Sequence, residues 1–522
     1  MFWEDPENTV KSGNATADMV YHNLEWIITA LGSTLVFIVF VMQVYRIPTG
    51  SMADTLRGAH FRLACEECGY PYEYNFSPEK YHVRENTVPK GKVPILDPVR
   101  CPSCGFTYQV GTHASDGKYY KTQGNKLVPV DLQSVYKGDQ IFVLKSIYQF
   151  FEPNRWDVVV FKNPLEPGIH YIKRLIARPG ETVEIRDGDI YINGLITHKP
   201  PAVQEELWMP VYCNDFQPKH PELRAYYGHI WKNPLQAAND SAWDLTLEQG
   251  TVFALESSDP GIHRIEYRSE WAGGFRATYS YDPPLFYNQM PVCSDLMIQF
   301  YPQLQAKSSL GTLLSKYGRR YEGWIHADGR MEILQVNSDG EKQFLAEMSF
   351  DPDTISGLER FRFANVDHQL ILTYGNQCIT HDLGRGPDDA GTNTGILPQV
   401  EILGAGSVRL AHIELYRDIH YLSEGRGILR AGPDDPFTLH EDEFFVCGDN
   451  SPFSADARMW DRPGLKNGGG TYRTGVVPRD YMVGKAFFVH WPGGYEAIPG
   501  FIRFIPFADG MKIIYGGTPE YN

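Results

Sequence analysis

The chain has 522 residues and a mass of 59.3 kDa, room for three to four domains at about 150 residues each. Its 48 basic and 64 acidic residues leave a formal charge of −16, which argues against a broad nucleic-acid footprint. A mean hydropathy of −0.34 excludes a polytopic membrane protein, and 49 Gly, 36 Pro and 13% aromatic residues favour strands and turns, so the expected fold class is mainly β. Eight cysteines are too few for a disulfide-dense scaffold of this length.

Residues 1–25 form an acidic N-terminal tail, with Glu4, Asp5, Glu7, Asp18 and Glu25 against Lys11. Trp26 through Tyr45 (WIITALGSTLVFIVFVMQVY) then carry no charge, and a helix of that length rises ~30 Å, the thickness of a hydrocarbon core. A cleaved signal peptide would want a basic start and small residues at a cut site, and neither is present. The expectation is therefore an uncleaved single transmembrane anchor over 26–45, with a buried helix or a signal peptide as the alternatives. Arg46, Arg57 and Arg62 follow it and would by charge alone favour a cytoplasmic C-terminal side, but long domains translocate largely regardless of charge.

Residues 46–59 hold Ile47-Pro48-Thr49-Gly50-Ser51-Met52. Residues 60–120 contain two cysteine pairs, Cys65/Cys68 and Cys101/Cys104. Short β-branched runs dominate 121–200: Gln140–Leu144, Asp157–Phe161 and Tyr171–Ala177, then Asp187-Gly188 between Val183/Ile185 and Ile190/Ile192, which predicts a hairpin. Residues 201–422 repeat alternating runs at Thr251–Leu255, His263–Tyr267, Phe275–Tyr281, Glu332–Val336 and Leu370–Tyr374, the pattern of a sandwich or jelly roll. Residues 423–522 return to punctuated strands at Glu443–Cys447 and Val483–Val489. Phe501–Phe507 reads as an ordinary half-buried strand, with a membrane-interface segment as the alternative.

Three features could carry chemistry. Ser51 follows a glycine just past the apolar segment, where plain turn serines are common. Lys173 is the one charge on its face of YIKRLIA, beside Tyr171, Leu175 and Ala177. It either snorkels at an edge or is desolvated, and desolvation would make a neutral amine available as a base. Gly448-Asp449-Asn450-Ser451, with Ser454, Asp456 and Arg458, is a polar turn after an apolar strand, otherwise read as a solvated loop.

Taken together and in order, IPTGSM (47–52), GDQIFVLK (138–145), WDVVVFKNP (156–164), YIKRLIARPGETV (171–183), FFVCGDNSPFSADAR (444–458) and VPRDYMVGKAFFVHWP (477–492) closely resemble bacterial type I signal peptidases. These are membrane-bound Ser/Lys endopeptidases that remove signal peptides from secreted preproteins through an acyl-enzyme. The resemblance implies Ser51 as nucleophile, Lys173 as general base, Ser454 as the serine that orients the amine, and Thr49 as a partner of the Ser51 N–H in the oxyanion hole. It implies Asp456 and Arg458 as a supporting pair; Ala457 departs from the serine many members carry between them. It further implies a β catalytic domain on the exoplasmic side of the cytoplasmic membrane, lipid and preproteins as partners, and no catalytic cofactor.

The interruptions have their own likenesses. Cys65-Glu-Glu-Cys68-Gly69-Tyr70 and Cys101-Pro-Ser-Cys104-Gly105-Phe106 resemble the two knuckles of a zinc ribbon, a closed structural site of four cysteines, with disulfides on an exoplasmic face, then free thiols, as the competing readings. Residues 407–421 resemble the last strand of concanavalin-like, laminin G-like jelly rolls, folds that often bind glycans or proteins, with a spacer or interaction platform as the competing reading. A tethered binding or adhesion protein with an idle peptidase core is the alternative function, and a self-cleaving Ser/Lys regulator a nearer one.

Overall fold

The computed structural model describes residues 15–36, 40–84, 87–108, 112–113, 119–123, 126–221, 225–226, 229–271, 274–284, 289–354, 357–386, 395–424, 429–433, 435–492 and 510–517. Among them are two α-helices, Ala15–Val36 (α1) and Pro201–Leu207 (α2); the rest is strand, short 3-10 helix, turn and loop.

The helix expected over 26–45 is not seen as one element among the described residues. α1 begins upstream of Trp26 and ends at Val36, while Met42–Arg46 is a strand (β1) paired with Gln140–Leu144 (β2), Met42 opposite Leu144 and Arg46 opposite Gln140. Among the described residues no helix is long and apolar enough to cross a membrane. A short apolar run suits either helix or strand, and here β2 supplies the partner that decides. Residues 37–39 of the expected anchor, and Phe501–Phe507, lie outside the described residues.

β1 and β2 belong to an eight-stranded antiparallel sheet with Val158–Asn163 (β3), Glu166–Ala177 (β4), Glu443–Cys447 (β5), Val477–Pro478 (β6) and Met482–Trp491 (β7). The spatial order is β1-β2-β7-β3-β4-β5-β6, and Lys512–Ile513 adds to β7. Strands from before and after the long interior stretch therefore interleave. Val158, Val159, Val160 and Phe161 are buried on both faces of β3, which sits centrally between β7 and β4. Beside this sheet, Asp187 and Gly188 take positive φ of 46° and 90° and close a two-residue hairpin with Ile185 opposite Ile190.

The described residues of 209–417 form two large antiparallel sheets of eight and seven strands, besides a two-stranded one at Ala225–Tyr226 and His229–Ile230. Their facing sides share one core, in which Phe253, Ile298 and Phe300 meet Leu310, Ile325 and Ile402. Two amphipathic sheets closing on one another make a β-sandwich. Phe275–Tyr281, expected as a strand, is a loop instead. The Ala277 N–H reaches the Pro291 carbonyl at 2.9 Å and the Cys293 N–H the Phe275 carbonyl at 2.7 Å. Phe275 remains in the sandwich core, but Tyr279 and Tyr281 leave it to pack with Ala53 and Met209.

Buried ion pairs join the sandwich to the segments that precede it. Lys199 reaches Asp367 at 2.6 Å and Asp418 at 2.7 Å, while Lys316 reaches Asp189 of the hairpin at 3.2 Å and also pairs with Asp295. The third module sets His60–Ala64 between Pro71–Asn75 and Val135–Tyr136, over a small core of Phe61, Tyr74, Phe76, Ile95 and Val99 with the four cysteines.

Candidate active site

The segment bearing Ser51 is held on both sides by one dipeptide. The Ile47 N–H donates to the Asp139 carbonyl at 2.8 Å, the Asp139 N–H to the Arg57 carbonyl at 2.9 Å, and the Arg57 N–H to the Asp139 carboxylate at 2.8 Å. Gly138 must lack a side chain, since a Cβ there would lie 1.9 Å from the Ile47 carbonyl oxygen. The resulting elbow aims Ser51 at β4.

There the Lys173 amine donates to Ser51 Oγ at 2.8 Å and to the Ile172 carbonyl at 2.9 Å. Lys173 is 4% exposed. Burial lowers its amine to about 8, with Asp456 and Asp449 opposing the shift from a distance. A fraction of neutral amine near neutrality, within hydrogen-bond reach of a hydroxyl, is what a base needs.

The loop after β5 closes the site. Asp456 accepts from the Gly448 N–H at 2.9 Å and from Arg458 Nε at 2.9 Å and Nη2 at 2.7 Å, and Arg458 Nη1 also donates to Ser451 Oγ at 2.6 Å. Burial alone would raise the Asp456 carboxyl, but Arg458 and the Gly448 amide hold it below the usual range. Ser454 is buried in this cluster, its Oγ against Gly448 and near the Ser51 carbonyl. The expected bond from Lys173 to Ser454 is not made; the amine's two bonds go to Ser51 and Ile172 instead. Thr49 is exposed, its backbone packed on Gly58, where an added Cβ would lie 2.6 Å from the Thr49 carbonyl carbon.

Two supports escaped the sequence reading. Arg174, next to Lys173 but on the opposite face of β4, donates from Nε and Nη2 to Asp449 at 2.8 and 2.7 Å, both side chains fully buried. Asn450 donates from its N–H to the Ser51 carbonyl and from Nδ2 to the Gly50 carbonyl, each at 3.1 Å. The run Gly448-Asp449-Asn450 after an apolar strand was the available signal. The partners are far off in sequence, so their roles were not legible.

The four paired cysteines converge away from this site. Cys65 Sγ lies 3.7 Å from Cys104 Sγ and Cys68 Sγ 3.6 Å from Cys101 Sγ, and the four donor atoms all lie within 4.8 Å of one another. All are free thiols, far beyond the ~2.05 Å of a disulfide. Four sulfurs ~2.3 Å from a tetrahedral zinc would stand about 3.8 Å apart, so the set fits that ion. Gly69 and Gly105 take φ of 82° and 75° and turn their N–H groups to the Cys65 and Cys101 carbonyls. Asp189, Asp295 and Asp367 also cluster, but the Lys316 ammonium already bonds Asp189 and Asp295.

Stretches of this chain match known proteins. Residues 132–257 and 422–491 match the family described as Signal peptidase, peptidase S26, two stretches that leave out Ser51. Signal peptidase I T of Bacillus subtilis (strain 168) is 36% identical over 81 residues, 16% of this chain and 39% of that protein. Signal peptidase I of Aquifex aeolicus (strain VF5) is 55% identical over 47 residues, 9% of this chain and 18% of that one. The chain spans 39%, 36% and 41% of the length of the first three curated relatives it matches. Among solved structures, the CBM2 module of the Lactobacillus casei BL23 phage J-1 evolved Dit aligns with 41% of this chain and 99% of its own, at 9% identity and a TM-score of 0.24, too low to carry an argument. The family and relative matches support a hydrolase of the signal-peptidase kind.

Proposed function

We propose that this protein is a membrane-bound serine endopeptidase that removes signal peptides from secreted preproteins, with Ser51 as nucleophile and Lys173 as general base. The observation that carries the reading is the 2.8 Å contact between the buried Lys173 amine and Ser51 Oγ. The neutral amine takes the hydroxyl proton as Ser51 Oγ attacks the scissile carbonyl, and the resulting ammonium returns a proton to the departing amine. Water then cleaves the acyl-enzyme with Lys173 again as base. The Ser51 N–H and Thr49 hydroxyl would serve the developing oxyanion, each donor being worth about 2.7–4 kcal/mol in such sites. Ser454, Asp456 and Arg458 support the loop that backs the amine.

In this reading 46–59, 121–200 and 423–522 make up the catalytic domain, 60–120 a zinc-ribbon-like insert and 201–422 a jelly-roll insert, either a spacer or a platform for a glycan or protein ligand. We assign structural zinc to Cys65, Cys68, Cys101 and Cys104, where it would cross-link two hairpins and supply no catalytic chemistry. Trp26, Ile27, Ile28, Leu31, Leu35 and Val36 are exposed, which supports attachment to lipid at this end, with the catalytic domain on the exoplasmic side. The rival reading, a tethered binding protein with an idle core, would leave the contact between a desolvated lysine and a serine without a use. Purified Ser51→Ala and Lys173→Ala variants assayed on a preprotein test the assignment. Both should lose cleavage, and near-normal cleavage by either would sink it.

A further inference from the structure

The loop that leaves the sandwich core, residues 278–282, ends against the catalytic elbow rather than in solvent. Tyr281 is fully buried, and its ring lies so close to Gly50 that an added Cβ would stand 2.3 Å from Tyr281 Cε1. Its carbonyl accepts from the Asn75 N–H at 2.9 Å, and its hydroxyl reaches the Ala59 carbonyl at 3.4 Å. Two residues earlier, the Tyr279 hydroxyl donates to the Asp449 carbonyl at 3.0 Å, the residue whose side chain clamps Arg174. The Asp282 carboxyl faces Asn450 and is pushed up to about 8 by burial. From the sandwich side, Arg417 donates to the Thr278 carbonyl at 2.5 Å and lies 5.0 Å over the Tyr279 ring. This one loop thus touches the residue before the nucleophile, the turn that holds the Gly50 and Ser51 carbonyls, and the cysteine module.

We propose that Tyr279 and Tyr281 are positioning residues for Ser51, so that the insert built from residues 201–422 completes the catalytic site rather than merely interrupting it. The inference rests on the Ser51/Lys173 reading. Gly50 accepts the flat Tyr281 ring because it has no Cβ, and the ring in turn blocks the elbow from sinking away from Lys173. Tyr279 does the same for the Asp449-Asn450 turn. Neither side chain donates to or accepts from Ser51 or Lys173. Their effect is on where the hydroxyl stands, and displacements of about 1 Å at such a site cost up to about 100-fold in rate.

The test uses the full chain with Tyr281→Ala, Tyr279→Phe and Gly50→Ala, and two readouts. One is kcat and KM on a preprotein. The other is the rate of covalent labelling of Ser51 by a fluorophosphonate, followed by intact mass, which needs no preprotein. Tyr281→Ala should lower kcat and labelling about tenfold or more with KM changed less than about threefold, and Tyr279→Phe should lower labelling about threefold. Gly50→Ala should also label slowly, and Gly50→Ala/Tyr281→Leu should recover part of that loss because the smaller side chain makes room. If Tyr281→Ala fails to fold, Tyr279→Phe and the Gly50/Tyr281 pair decide alone. Folded Tyr281→Ala or Tyr279→Phe protein labelling within twofold of the parent overturns the proposal. A parent that labels at Ser51 but cleaves no preprotein removes the proposed function while labelling still decides this inference; a parent that does neither overturns both.

Discussion

Lys173 and Lys316 are buried alike, 4% and 3% exposed, and titrate in opposite directions. Lys173 meets a hydroxyl and a carbonyl, its carboxylates stand a shell away, and burial lowers it to about 8. Burial opposes the charge of Lys316 too, but Asp189 and Asp295 bond it directly and carry its pKa well above the ordinary value. Desolvation alone therefore does not make a base. What matters is whether an anion is close enough to offset the desolvation. One lysine can give up its proton near neutral pH beside a serine; the other is locked as an ion that joins two modules.

Replacing each by methionine should separate these roles. Lys173→Met should lower turnover by about 10³-fold or more, since a general base is lost outright, while the protein stays folded. Thermal unfolding at neutral pH should show equal or greater stability, because a poorly compensated amine has left the interior. Lys316→Met should do the reverse. It strands Asp189 and Asp295 and should cost about 3–5 kcal/mol, read by denaturant unfolding, while each folded molecule keeps its turnover. A stable Lys316→Met variant, or an unstable Lys173→Met one, breaks the comparison.

The two lysines also predict different pH behaviour. With Lys173 near 8, kcat/KM should climb about tenfold per pH unit toward pH 8 and then level. Its folded value lies below an unfolded value of about 10.4, so the unfolded chain binds more protons between the two, and stability should rise with pH across that window. For Lys316 the sign inverts. Its folded value is raised, so its contribution is complete below the unfolded pKa and is lost only as pH passes the folded one. Stability curves of the parent and Lys173→Met from about pH 7 to about pH 10.5 should differ in slope, and parallel curves would contradict the lowered amine.

How much of this was legible follows from the range of each interaction. The residues around Ser51, Lys173 and Gly448–Arg458 stand in short ordered motifs, so the candidate site could be assembled from likeness without knowing that Ser51 and Lys173 meet. The mainly β character was equally plain, because period-two runs such as Asp157–Phe161 need only local pattern. The apolar stretch misled, because hydropathy does not say that Met42–Arg46 has a strand waiting at Gln140–Leu144. Phe275–Tyr281 misled for the opposite reason. Its alternation is real, yet Tyr279 and Tyr281 spend their buried faces on Ala53 and Met209 instead of a neighbouring strand. Tertiary partners outside the motif override local pattern.

A smaller effect is expected at the cysteine module. Chelation at neutral pH should expose Cys65, Cys68, Cys101 and Cys104 to a thiol reagent that the untreated protein resists, since their burial depends on two hairpins drawn together. Ser51 labelling should then fall by less than Tyr281→Ala produces, because the module reaches the clamp through the Asn75–Tyr281 bond while Arg417 still holds the loop from the other side. Unchanged cysteine reactivity after chelation would count against zinc.

The smallest effect marks the far limit of the insert's involvement. Phe344 is 61% exposed on Lys342–Ser349, the outer strand of the seven-stranded sheet, and that strand pairs with Arg330–Val336 rather than with the elbow or the Asp449 turn. Phe344→Ser removes an exposed aromatic without opening a cavity, so stability should move by no more than about 0.5 kcal/mol. Ser51 labelling should match the parent. If preprotein cleavage falls while labelling does not, this edge takes part in docking the substrate; if both hold, this edge contributes neither to docking nor to the dyad.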